Sequence, residues 1–230
     1  MGQATTRAVT FIGPASASAG ALAEALGAAT SYRCPAPPED HGWGWVWDDV
    51  LDHWRRAIEE TTPADAMVVC AWPSVTTAAA LTELAPAMWR DQVEWPTALW
   101  FTTLVAAAGR CADRGSLVVV VERPVTIDAP GHAALVAVSD GLINLVRSLA
   151  AIEGARGVRV NAVATELHTA PDVRPGAPPA LDRFPGSIED EIAGAVRLLL
   201  SPDASVGDPV PAQFFFRDPD GNRFLIVQPG

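Results

Sequence analysis

Four side chains in the second half of the chain are candidates for moving protons: Glu122, His132, Glu166 and His168. Glu122 ends the run Leu-Val-Val-Val-Val at 117–121, the most strand-like stretch of the sequence. In a parallel α/β sheet, ligands bind outside the carboxyl ends of the strands. A carboxylate at that place, shielded by Trp72 and Trp95, has the setting of a general base, with His168 or His132 as its partner. Such a pair could run dehydration, isomerisation or ring closure on a small apolar, aromatic or polycyclic molecule. A plainer reading stands beside each residue. Glu122 followed by Arg123 is also what a solvated ion pair at a strand end looks like. His132, after Pro130-Gly131, also fits a surface loop, and Glu166 and His168 also fit a lid. His41 and His53 are too isolated to suggest a metal.

What the chain lacks is as informative. It has no lysine, sixteen arginines and one tyrosine, Tyr32. GC-rich codon usage would explain that composition, but a catalytic amine is absent all the same.

The elements that would position these residues alternate between strand and helix. Residues 9–12 form a short apolar strand that ends at Gly13. A small-residue loop follows, then a helix over 19–26 with Ser18 as its N-cap. A weak strand at 29–32 and a Pro-rich break at 34–40 come next. Trp43, Trp45 and Trp47 lead into a helix over 48–60. Strands are expected at 66–70, 117–121 and 158–163, and helices at 97–111, with Pro96 in the first turn, and at 133–153. A Pro-rich loop at 169–186 precedes a helix over 188–200, opened by Ser187 and three acids. Residues 214–216 read as a last parallel strand. The turn signal Asp218-Pro-Asp-Gly-Asn222 then returns the chain as a strand over 223–227, giving a hairpin within 213–228. This alternation predicts a single α/β domain over residues 1–230, with a doubly wound, mainly parallel sheet.

The bulk properties agree. Two hundred and thirty residues, 49% of them hydrophobic, are enough for a buried core. A net charge of -11 argues against nucleic acid or an anionic membrane as partner. Three scattered cysteines and no charged-then-apolar leader suit a cytoplasmic protein, and no apolar stretch reads as a clean membrane span.

Arg147-Ser-Leu-Ala150, Gly157-Val-Arg-Val-Asn-Ala-Val163, Glu191-Ile-Ala193 and Leu199-Leu-Ser-Pro202 resemble, in order and spacing, the short-chain dehydrogenase/reductase family. The resemblance runs from about Ala8 to about Phe216. It implies a Rossmann-like fold, and it also shows what has been replaced. The family's Gly-x-x-x-Gly-x-Gly loop matches Gly13, Ala17 and Ala19, so only the first glycine survives, and Pro14 stiffens the loop. Gly13 then reads as a strand-exit glycine, and no cofactor is expected. The segment between Tyr32 and Ala66 leaves no clear third strand. By the family's spacing the catalytic tyrosine falls at Leu135, the lysine at Ser139, the serine near Glu122 and the helix asparagine at Pro96. The Asn-Asn-Ala-Gly signature falls at Val69-Cys70-Ala71-Trp72.

Phe214 to Gln228 also resembles, locally, the last hairpin of glyoxalase-type domains. That family's metal-binding glutamate position is Leu225 here, so a hairpin without metal is expected.

Two functions follow as expectations. The first is a degenerate, non-catalytic structural or regulatory subunit. It would form a homo- or hetero-oligomer through the helices at 97–111 and 133–153, the latter with a catalytically intact relative as the expected partner. Leu142, Ile143, Leu145, Val146 and Leu149 cover more than one helix face, as a core on one side and a partner on the other require. The second is the repurposed enzyme built on Glu122. The tryptophan-rich segment 43–54 suits an aromatic pocket, an interface anchor or core filling.

Overall fold

The computed structural model describes residues 8–38, 47–73, 78–124, 131–167, 187–201, 213–217 and 223–227. Five parallel strands form one sheet: β1 (Val9–Gly13), β2 (Ala28–Arg33), β3 (Ala64–Ala71), β4 (Cys111–Glu122) and β5 (Arg159–Thr165), in the order β2-β1-β3-β4-β5. Strands β3 and β4 sit at its centre. Met67 to Cys70 and Leu117 to Val121 are fully buried on both faces, which explains why these runs do not alternate with polar residues.

Period two divides that core. Ile12, Met67, Val69, Leu117, Val119, Val121, Val160 and Ala162 face α2 (Asp48–Glu59), α4 (Trp95–Arg110) and α5 (Ala133–Glu153). Phe11, Val68, Cys70, Val118, Val120 and Val163 face α1 (Ala17–Ala25) and α6 (Ala193–Leu200). Helix α2 locks onto α4 by a buried hydrogen bond. Trp54 Nε1–H donates to Thr103 Oγ1 at 2.8 Å, and Thr103 donates in turn to Leu99 O at 2.7 Å. Trp47 and Trp95 meet edge to face, 5.6 Å between ring centroids.

Helix α5 is long and apolar enough to pass for a membrane span by composition. Its apolar side chains are core instead. Leu142, Ile143, Val146 and Leu149 are buried within the chain and Leu145 is half-buried, so the surplus apolar face expected from the sequence is largely consumed. What remains outside α5 is mostly small: Ala137, Gly141, Ser148 and Ala151, with Asn144 and Ile152. Helix α4 keeps Phe101 55% exposed and Val105 one turn further along.

Several boundaries differ from the sequence reading. Helix α1 begins two residues earlier than expected. Ser16, not Ser18, is its N-cap, with an extended backbone and its Oγ accepting the Ala19 N–H at 3.2 Å. Pro96 lies in the first turn of α4, as expected, but no loop precedes it: α3 (Pro86–Trp89) and a π-helical turn, Arg90–Glu94, run directly into α4. The wide turn makes room for a proline ring that would meet the carbonyl four residues back. A second π-helical turn, Ile188–Ile192, precedes α6. There the Glu191 carboxylate accepts the Ser187 N–H while Ser187 Oγ accepts that of Asp190, a capping box stretched by one residue.

The expected parallel strand at 214–216 is the largest correction. β6 (Gln213–Arg217) pairs antiparallel with β7 (Arg223–Val227) in a separate two-stranded sheet, and β7 is the strand lying beside β5. A five-residue connection brings the two strands together locally, which favours the hairpin over a crossover. His41, Trp43, Trp45, His168, the loop 169–186 and the turn 218–222 lie outside the described residues.

The three cysteines are free and sit in apolar surroundings. Burial pushes the Cys34 thiol up to about 12, the Cys111 thiol to about 11, and the Cys70 thiol well above its ordinary value near 9. The folded state therefore holds these protons at pH values where the unfolded chain has lost them. That contribution is complete below about pH 9 and declines as pH rises toward about 12. No lysine competes in this window. Denaturant midpoints measured from pH 8 to pH 11 are expected to fall steadily, and Cys34→Ala is expected to flatten the decline. A midpoint independent of pH above 9 would contradict the assignment.

Candidate functional site

The order β2-β1-β3-β4-β5 reverses direction between β1 and β3. That is where α/β sheets of this kind place ligands, at the carboxyl ends of the strands. Trp72 follows β3 directly at this point and is 1% exposed. Its Nε1–H donates to Thr165 Oγ1 at 2.9 Å, at the end of β5. Thr165 donates to Glu122 Oε2 at 3.0 Å, at the end of β4, with Val121 O a further 3.3 Å neighbour. The indole thus reaches across the end of β4, packed in the core layer that also holds Phe11 and Ala19. Trp72, Thr165 and Glu122 are thereby bonded to one another on one face of the carboxyl ends of β3, β4 and β5.

Strand register makes this bridge. Glu122 is opposite Thr165 in the β4–β5 ladder, and Ala71 is opposite Val121 in the β3–β4 ladder. Alternation puts Glu122 on the face of Val118 and Val120, Thr165 on that of Val163, and Trp72 on that of Cys70. Trp95, expected beside Glu122, packs in the opposite layer against Trp47. Nor does Glu122 pair with Arg123, whose guanidinium meets Asp140 at 3.1 Å. Glu122 itself is 1% exposed, a buried carboxylate in a polar bridge.

The other candidates sit at the rim. His132 is half-buried and precedes α5. The Gly131 carbonyl beside it accepts the Ala79 N–H at 2.9 Å. Gly131 has φ +81°, and a Cβ there would come within 2.9 Å of Ala78, so only glycine lets the two segments approach. Glu166 follows β5 and is half-buried. His168 lies outside the described residues. Ser139 is buried, with its hydroxyl donating to Val136 O at 3.2 Å, and Leu135 is half-buried one turn earlier. Among the described residues no cluster of three or more His, Cys, Asp or Glu could hold a metal.

Two donors of the loop after β1 are bonded within the chain. The Ser16 N–H bonds Pro14 O at 2.9 Å, and the Ala19 N–H goes to Ser16 Oγ. Gly13 is a packing glycine, since a Cβ there would stand 2.8 Å from the Phe11 ring and 3.1 Å from Cys70 Cβ. An open hollow of about 650 Å³ lies over this loop and β2, lined by Gly13, Ser16, Gly20, Glu24, Ser31 and Arg33. The hollow has room for a small molecule. At the second and third glycine positions of the family loop stand Ala17, the first residue of α1, and Ala19, whose side chain is buried in the core.

Sequence reasoning missed Thr165 and took Trp72 only as a neighbour of Glu122. Alternation alone would have placed both on one face. Thr165→Val keeps the shape but removes one hydrogen bond from each of Trp72 and Glu122. It is expected to cost about 1–3 kcal/mol, read as a fall of roughly 2–10 °C in melting temperature. An unchanged melting temperature would show that the bridge carries no stability.

No family model matches the sequence, and no curated protein matches it. Solved structures do match. A doubly substituted Serratia marcescens short-chain dehydrogenase/reductase is 21% identical with a TM-score of 0.57, over 86% of this chain and 91% of that one. A blue fluorescent protein from a metagenomic library, solved with NADPH, is 19% identical with a TM-score of 0.59, over 86% and 92%. BdcA from E. coli is 19% identical with a TM-score of 0.52, over 89% and 94%. At these identities the likeness is one of architecture, and this chain has the fold of the short-chain dehydrogenase/reductases.

Proposed function

We propose that the chain is a non-catalytic subunit, structural or regulatory, that assembles with a catalytically intact protein of the same fold. The observation that carries this reading is the Trp72–Thr165–Glu122 bridge, which ties up a buried carboxylate at the carboxyl ends of the strands, where sheets of this kind do their chemistry. Leu135 and Ser139 support it, because a leucine and a back-bonded serine transfer no proton. So does the loop after β1, where the Ser16 and Ala19 N–H groups are bonded within the chain.

The surface that would assemble is the outside of α4 and α5. Phe101 and Val105 stand one turn apart on α4, and α5 offers Ala137, Gly141 and Ser148, small enough to admit another helix closely. With Leu149 buried in the chain's own core, Leu149→Glu would damage the fold, whereas Phe101→Glu tests the surface.

Co-expression with an intact relative from the same source, followed by native mass spectrometry, is expected to give a stoichiometric complex. Phe101→Glu is expected to weaken it by about 30-fold or more, as loss of an anchor residue does. Calorimetry of the isolated chain with NADPH is expected to show no low-micromolar site. A low-micromolar site for NADPH would overturn the reading. So would an intrinsic activity lost in Glu122→Gln with stability kept, which would restore Glu122, with His132 or His168, as the proton-transfer pair of a cofactor-independent enzyme.

A further inference from the structure

We draw no further inference here: the strongest candidate, the open hollow over the loop after β1 and the adjoining end of β2, is lined by Gly13, Ser16 and Ala19 of the loop that matches the family's cofactor loop, so it belongs to the site already described.

Discussion

Burial of β3 and β4 on both faces is the constraint on which the rest of the structure depends. A central strand such as Leu117 to Val121, with no exposed side, requires a helical layer above and another below. The layer formed by α2, α4 and α5 supplies one, sealed by Trp54 on Thr103 and by the Trp47–Trp95 contact. Helices α1 and α6 supply the other. Once both layers are in place, the carboxyl ends of β3, β4 and β5 are brought together, and the residue after each strand is aimed by the same alternation that packs the core. Trp72, Glu122 and Thr165 meet because they continue three buried rows, not because a loop folds them together.

That origin explains why some features were legible in the sequence and others were not. The strand-helix order, α5 to the residue, and the glycine at the end of β1 follow from local patterns. Alternation and length act within a single element. The partner of Glu122 did not follow, because a hydrogen bond between β4 and β5 depends on register, which no single segment encodes. The helix start at Ser16 was lost between serines of equal propensity, and the turn Arg90–Glu94 was lost because Pro96 reads as a start signal until the chain upstream is seen to be helical. The C-terminal hairpin was legible, both strands and the turn between them. Which of its strands lies beside β5 was not, because that choice is tertiary.

The absence of lysine has a structural counterpart at the opposite end of the sheet. There, arginines clamp backbone carbonyls at helix and strand ends. Arg159 donates to Leu199 O at 3.1 Å and Ser201 O at 2.8 Å, capping α6. Arg156 reaches Cys111 O at 2.6 Å and Ala108 O at 3.3 Å, at the end of α4, while also meeting Asp113 and Glu153. Arg110 holds Thr61 O, and Arg197 holds Ala25 O. A planar fork with five donors can satisfy several carbonyls at once, which a single ammonium on a flexible stem does less well. These are helix C-terminal ends, where positive charge is favoured as well.

The two ends of the sheet therefore differ in what their polar side chains do. At the amino-terminal end of β4 and β5, arginines tie helix ends to the sheet. At the carboxyl end, a buried carboxylate, a threonine and an indole are hydrogen-bonded to one another. An enzyme of this architecture needs that end water-accessible at some stage, with donors left unpaired until a substrate meets them. Here the Ser139 hydroxyl and the Trp72 Nε1–H both donate within the chain. Polar groups already paired in the resting fold must give up those bonds before they can bind anything else, at about 1–3 kcal/mol for each buried group left unsatisfied. The outer face of α4, where Phe101 and Val105 are exposed, carries no such cost.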